Sequence, residues 1–247
     1  MGRTKLTFHA DWITLESIHP HCTTAMDPLL QQLARTVELG KVNASSAYPP
    51  DLQGQVGANE LTQKALAAGC SPQSILDDAL MLGMSRVGEK FRLQEIFVPE
   101  VLMAAKAMGA AMEHLKPYFK SAQVQHRGAF ILGTVRGDLH DIGKRLVGMV
   151  AEGAGWEVID LGTDVSAERF LSAVADHPGA TVGISALLTT TMVNMEDIVR
   201  KLKTANTTTR VIVGGAPLSA KFAARIGADG YAPDPQGAVE FLNGTPS

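Results

Sequence analysis

The chain has 247 residues, room for one large domain or two modest ones, and its 45% hydrophobic content is ample for a packed core. No stretch is apolar enough to span a bilayer, and a formal charge of −3 without a basic run gives no reason to expect nucleic acid. Two cysteines, Cys22 and Cys70, cannot build a disulfide framework, and residues 1–25 lack the apolar run of a secretion signal, so a soluble cytoplasmic protein is expected.

Residues 1–25 read as an irregular arm. His19, His21 and Cys22 lie close together there, but they lack a second ligand pair at a metal-site spacing. From about 26 to 120 the pattern is helical. Leu29, Leu30, Leu33 and Val37 share one face of a first helix, opened by Asp27-Pro28 and closed near Gly40. Asn43 to Gln55, with Pro49-Pro50, is a loop, and a second helix runs from about Asn59 to Ala68. Ser71-Pro72 supplies an N-cap and a first-turn proline, and Ile75, Leu76, Ala79, Leu80 and Gly83 follow on one face. A final helix begins near Pro99, where Val98, Val101, Leu102, Ala105, Met108, Met112 and Leu115 recur at three- and four-residue steps. Four helices with short links predict a small bundle.

A polar linker, 121–127, separates this region from a second one, 128–247, with a different period. Strands at Ala129–Leu132, Trp156–Leu161, Thr181–Ser185, Arg210–Val213 and Gly230-Tyr231 alternate with helices near His140–Glu152, Ala167–Ala175, Met192–Leu202, Ser219–Arg225 and Gln236–Leu242. That alternation predicts an α/β fold with a parallel sheet covered on both faces. By analogy with the flavodoxin-like arrangement the expected strand order is 2-1-3-4-5. Ligands of such sheets sit beyond the carboxyl ends of the strands, where the order reverses.

Three loops reach that edge. After the first strand comes Gly137-Asp138-Leu139-His140-Asp141-Ile142-Gly143. A carboxylate two residues before an imidazole can bond one ring nitrogen and leave the other free for a metal. Gly137 and Gly143 leave backbone room for a large group. After the third strand comes Ser185-Ala186-Leu187-Leu188-Thr189-Thr190-Thr191, whose hydroxyls either cap the next helix or meet a polar ligand. After the fourth, Gly214-Gly215-Ala216 presents almost no side chain.

Asp138-x-His140-x-x-Gly143, then Ser185-x-Leu187, then Gly214-Gly215 resembles the pattern of cobalamin-binding domains. It is similar to that of methionine synthase and of the corrinoid proteins of methanogen and acetogen methyltransferase systems, from about residue 26 to 247. The resemblance implies cobalamin as cofactor, cycling between methylcobalamin and cob(I)alamin, and bound with its own dimethylbenzimidazole displaced. It implies His140 as the lower axial cobalt ligand, with Asp138 and Thr191 completing a His-Asp-hydroxyl relay. The displaced nucleotide tail would run past Gly143, Ser185, Leu187, Thr189, Gly214 and Gly215, with Tyr231 and Ala232 lining the same cleft. Val87-Gly88-Glu89-Lys90-Phe91 and Ile96-Phe97-Val98-Pro99-Glu100 resemble the helical cap over the upper face, where Phe91, Val98 and Val101 match its shielding positions. The implied function is a methyl shuttle between a donor-specific and an acceptor methyltransferase, with a reductive activase as a further partner and no turnover by the chain alone. Methylamines, methanol, methoxylated aromatics and betaine are all donors in such systems, and tetrahydrofolate or coenzyme M is the acceptor.

Two other resemblances compete. Cobalamin-dependent light sensors share both halves, and Glu113-His114 matches a pair they use, but Met103 stands where they have Trp and the arm is short for a DNA reader. Small subunits of adenosylcobalamin mutases share the α/β half but usually lack this cap. A phosphoacceptor domain would need a lysine at the end of strand five, where Gly230-Tyr231-Ala232 has none.

Overall fold

The computed structural model describes residues 27–121 and 124–244, so His19, His21 and Cys22 lie outside the described residues. Helix α1 (Pro28–Glu38) starts where the Asp27 carboxylate accepts the Leu29 amide at 2.7 Å and buries Leu30, Leu33, Ala34 and Val37. A 3-10 turn (Pro50–Leu52) lies in the predicted loop, and α2 (Ala58–Ala67) follows. Next, α3 (Pro72–Ser74), a π-helical stretch (Ile75–Met81) and α4 (Leu82–Arg92) run on as one rod.

The pattern of burial explains the π winding. Residues 75, 76, 79, 80, 83, 84, 87 and 88 are all buried, two by two, every four residues. In an α-helix of 3.6 residues per turn, each four-residue step overshoots by about 40°, so such pairs would spiral off the core. Wider winding holds them on one face. The last bundle helix, α5 (Val98–Lys120), is opened by the Glu100 carboxylate, which accepts the Phe97 amide at 2.9 Å.

The second half is the predicted sheet, all parallel, in the order β2-β1-β3-β4-β5. Its strands are β1 (Ala129–Thr134), β2 (Glu157–Asp160), β3 (Thr181–Ser185), β4 (Val211–Gly214) and β5 (Gly230–Ala232). Helices α6 (Ile142–Gly153) and α11 (Pro235–Leu242) cover one face, while α7 (Ala167–Asp176), α8 (Thr189–Met192), α9 (Asn194–Ala205) and α10 (Ala220–Arg225) lie between the remaining strands. The face under α7, α9 and α10 has its own core, built on Phe170, Ile131, Met195 and Phe222. The opposite face shares one continuous core with the bundle, running from Leu33 and Leu76 through Met84 and Val150 to Phe130, Leu132 and Ile212.

Two contacts seat the bundle. A Cβ at Gly153 would fall 2.6 Å from Met84 Cγ and 2.7 Å from Met84 Cβ, so α4 and α6 approach closely because that position has no side chain. At the end of α4, Arg92 reaches Glu240 at 2.8 Å and Asp234 at 3.4 Å, tying the bundle to α11 and the loop before it. No helix among the described residues is long and apolar enough to cross a membrane. Gly153→Val should push the two helices apart and cost about 1–3 kcal/mol, read as a lower Tm. An unchanged Tm would mean that the halves do not meet along this line.

Candidate functional site

The loop between β1 and α6 is organised around one carboxylate. Asp138 is fully buried and accepts five hydrogen bonds. One oxygen takes the His140 amide at 3.0 Å and His140 Nδ1 at 2.8 Å. The other takes the Thr191 hydroxyl at 2.6 Å and the Leu187 and Leu188 amides at 2.8 and 3.3 Å. Burial opposes the charge, but the Thr191 hydroxyl, the His140 and Leu187 amides and the His140 ring outweigh it and hold the carboxyl well below the usual carboxylate range.

An ionised carboxylate only accepts, so Nδ1 of His140 carries the donated proton and Nε2 is the nitrogen left for another partner. The ring is half exposed, at 52%. His140 precedes the helix, where the sequence placed it at the helix start. Its amide is taken by Asp138 and its carbonyl by the Thr134 hydroxyl at 3.1 Å, so α6 begins only after Asp141. These side chains compete with the helical pattern and win.

A cleft of about 730 Å³ opens beside the imidazole at the carboxyl ends of the strands. It brings together Leu139, His140, Asp141, Ile142 and Gly143 from the first loop and Ser185 and Leu187 from the second. Gly214, Gly215 and Ala216 from the third, Tyr231 and Ala232 from β5, and Phe91 from the bundle complete the predicted lining. Gly215 has φ +128°, and a Cβ there would sit 1.8 Å from the Ala186 carbonyl oxygen, so the two loops close on each other only at a glycine. Gly143 meets nothing of the protein within 4 Å of a built Cβ; the space beside it is open.

Other predicted residues stand elsewhere. Asp138 and Thr191 lie behind the imidazole, buried, and Gly137 and Thr189 do not line the cleft. Val101 is buried in the bundle core and Val98 packs half-buried against it; neither lines the cleft. His114 turns to α2, where Nε2 meets the Asn59 side-chain oxygen at 2.8 Å, and Glu113 pairs with Lys116.

Several residues escaped the sequence. Asp164 has φ 55°, the left-handed region, and its carboxylate accepts the Gly137 amide at 2.7 Å while its own amide donates to the Asp138 carbonyl at 3.0 Å. It holds the loop from the side, and the tolerance of Asp for this backbone was the one available signal. Lys144, buried below the cleft, is ion-paired with Asp160. Phe130, Leu132, Leu146, Gly183, Ile212 and Ala238 line the cleft as well, and they read in sequence as ordinary core.

Residues 128–240 and residues 55–116 each match a family model described as a B12 binding domain. A corrinoid protein of Desulfitobacterium hafniense is 39% identical over 189 residues, 74% of this chain and 88% of that protein. The trimethylamine corrinoid protein of Methanosarcina barkeri is 40% identical over 74% of this chain and 86% of its own. In structure, the chain is similar to the methanol:cobalamin methyltransferase complex of Methanosarcina barkeri, with a TM-score of 0.74, 29% identity, and coverage of 89% of this chain and 80% of that one. With a sheet, a histidine-bearing loop and a cleft arranged in this way, and with relatives at this identity over most of their length, the chain belongs to the cobalamin-binding corrinoid proteins.

Proposed function

We propose that this chain carries a methyl group within a methyltransferase system, holding cobalamin with its own base displaced and His140 Nε2 as the lower axial ligand of cobalt. The hydrogen-bonded series from the Thr191 hydroxyl through Asp138 to His140 Nδ1, ending on an imidazole at the mouth of a cleft, carries this reading. The residues present fit the group. An imidazole with Nδ1 bonded to a carboxylate and Nε2 left for another partner is a metal-ligand arrangement, the open space at Gly143 receives bulk, and the cleft is sized for a nucleotide-bearing arm.

When bound, cobalamin supplies the cobalt that accepts and releases the methyl group. The chain does the rest. Asp138 fixes the Nδ1–H tautomer, so Nε2 points its lone pair outward. The Thr191 hydrogen bond tempers the basicity of that carboxylate. Phe91 borders the cleft from the bundle side, and exposed Leu93 and Phe97 follow it at the turn into α5, an apolar shield against water.

The names of two relatives, a trimethylamine corrinoid protein and a methanol:cobalamin methyltransferase complex, support trying methylamine and methanol first as donors. In this reading a donor-specific methyltransferase loads the chain, an acceptor methyltransferase unloads it, and a reductive activase rescues oxidised cofactor. His114 is engaged with Asn59 of α2 and Glu113 with Lys116 on the exposed side of α5, so the pair gives no support to a sensor.

Protein reconstituted with methylcobalamin should show a histidine-ligated visible spectrum that His140→Ala abolishes. An identical spectrum in the variant would remove His140 from the cobalt. The apo-protein carries a second prediction. A carboxyl held low in the folded state contributes stability that is present above its unfolded value, about 3.9, and is lost as pH falls toward the folded value. Asp138→Asn should therefore cost about 2–3 kcal/mol at pH 7 by urea unfolding, with the gap shrinking by about 1 kcal/mol at pH 3. A gap that stays constant over that range would mean Asp138 is not ionised.

A further inference from the structure

The loop after β2, residues 161–165, gives nothing to the lining of the cleft, yet it grips the loop that carries His140. It runs beside the end of β1 as a continuation of the sheet. The Thr134 amide donates to the Gly162 carbonyl at 3.0 Å, the Thr134 carbonyl accepts the Val165 amide at 2.9 Å, and Val135 and Val165 form a parallel bridge. Its start is anchored by the Asp160 carboxylate, which accepts the Gly162 amide at 2.9 Å and pairs with buried Lys144 of α6. Near its far end, Asp164 makes two bonds across Gly137-Asp138. Its carboxylate accepts the Gly137 amide at 2.7 Å, and its amide donates to the Asp138 carbonyl at 3.0 Å. Gly137 is exposed at φ +84°, and glycine by itself leaves such a stretch free to move. Leu187, Leu188 and Thr191 hold the Asp138 side chain from the β3 side. A side chain held at its tip still pivots about its own torsions unless its backbone is held as well, and Asp164 does this from the β2 side.

We propose that Asp164 is a positioning residue for cobalt ligation, fixing the Gly137-Asp138 backbone before the cofactor arrives so that His140 Nε2 meets it already aimed. The proposal rests on His140 as the lower ligand, the reading given above. That histidine competes with a base tethered to the cofactor itself, which stands at high effective concentration beside the cobalt. A loop that had to be ordered during the exchange would lose binding free energy to that ordering. Asp164 removes the cost in advance. This role is separable from shaping a turn. Glycine adopts φ 55° without strain, so glycine replaces a residue needed only for the turn, and it does not replace one needed for its side-chain oxygen.

The test is the affinity of the full-length protein for methylcobalamin, by equilibrium dialysis, with the visible spectrum of the complex, in wild type, Asp164→Gly and Asp164→Asn. Glycine keeps the backbone and removes the acceptor, whereas asparagine tolerates the same backbone and keeps a side-chain oxygen. Asp164→Gly should bind about 10-fold more weakly, with part of the bound cofactor showing the spectrum of its own base on cobalt. Asp164→Asn should restore most of the affinity and of the histidine-ligated spectrum. A folded glycine variant equal to wild type overturns the proposal and leaves His140 as the ligand. An asparagine variant no better than the glycine one also overturns it, because the effect would then come from charge. If the glycine variant does not fold, hydrogen exchange at the exposed Gly137 amide of the wild-type apo-protein decides. Protection there supports the proposal, and exchange at the rate of an unbonded amide overturns it. Wild-type protein holding methylcobalamin with its own base still on cobalt would overturn the histidine ligation and this proposal with it.

Discussion

A carboxylate removed from water must be given donors, and around Asp138 the donors are the structure of the site. Its two oxygens collect the amides of Leu187 and Leu188 from the loop after β3, the hydroxyl of Thr191 from α8, and both the amide and the ring of His140. A single side chain thereby joins two loops that are 49 residues or more apart in sequence and sets the plane of the imidazole. Unpaired buried charge is expensive enough that these contacts form together or not at all. Asp164 completes the frame by holding Gly137 and the Asp138 carbonyl in a backbone shape that few residues adopt.

The same loops shape the cleft by what they omit. Gly215 lets the loop after β4 touch the Ala186 carbonyl, and Gly143 faces open space. Below them the floor is ordinary aliphatic core, continuous with the packing that joins sheet to bundle. The cleft therefore rests on the closed surface of one hydrophobic core, under a polar rim. Its chemistry follows from that arrangement. The bundle reaches the rim through Phe91 and is held near it by Arg92, whose partner Asp234 also lines the cleft and caps α11.

Much of this was legible in the chain. Alternating strands and helices predicted the parallel sheet, because those patterns are local and repeated, while its order came by analogy with the flavodoxin-like arrangement. Asp138-x-His140-x-x-Gly143 announced its loop, because two polar residues flanked by glycines make poor core. Other features depended on contacts that sequence spacing does not show. His140 read as helical until the competing bonds from Asp138 and Thr134 were visible. Val98 and Val101 share an apolar stripe with the rest of α5, and periodicity does not say which part of a stripe meets a ligand. Phe130 and Ile212 become cleft residues only once the strand register is known. Asp164 sits in a turn where nothing but its backbone angle betrays a role.

The rod from Pro72 to Arg92 carries one more consequence. Its four-residue burial pattern and its wide winding depend on each other, so the number of residues in it matters more than their identity. Swapping one aliphatic for another between Ile75 and Met81 leaves the phase of the helix intact. Losing a single residue there rotates everything downstream by about 100°. Met84 would leave Gly153, and Arg92 would swing away from Asp234 and Glu240. Across descendants of this protein the segment is therefore free to drift in composition and bound to keep its length.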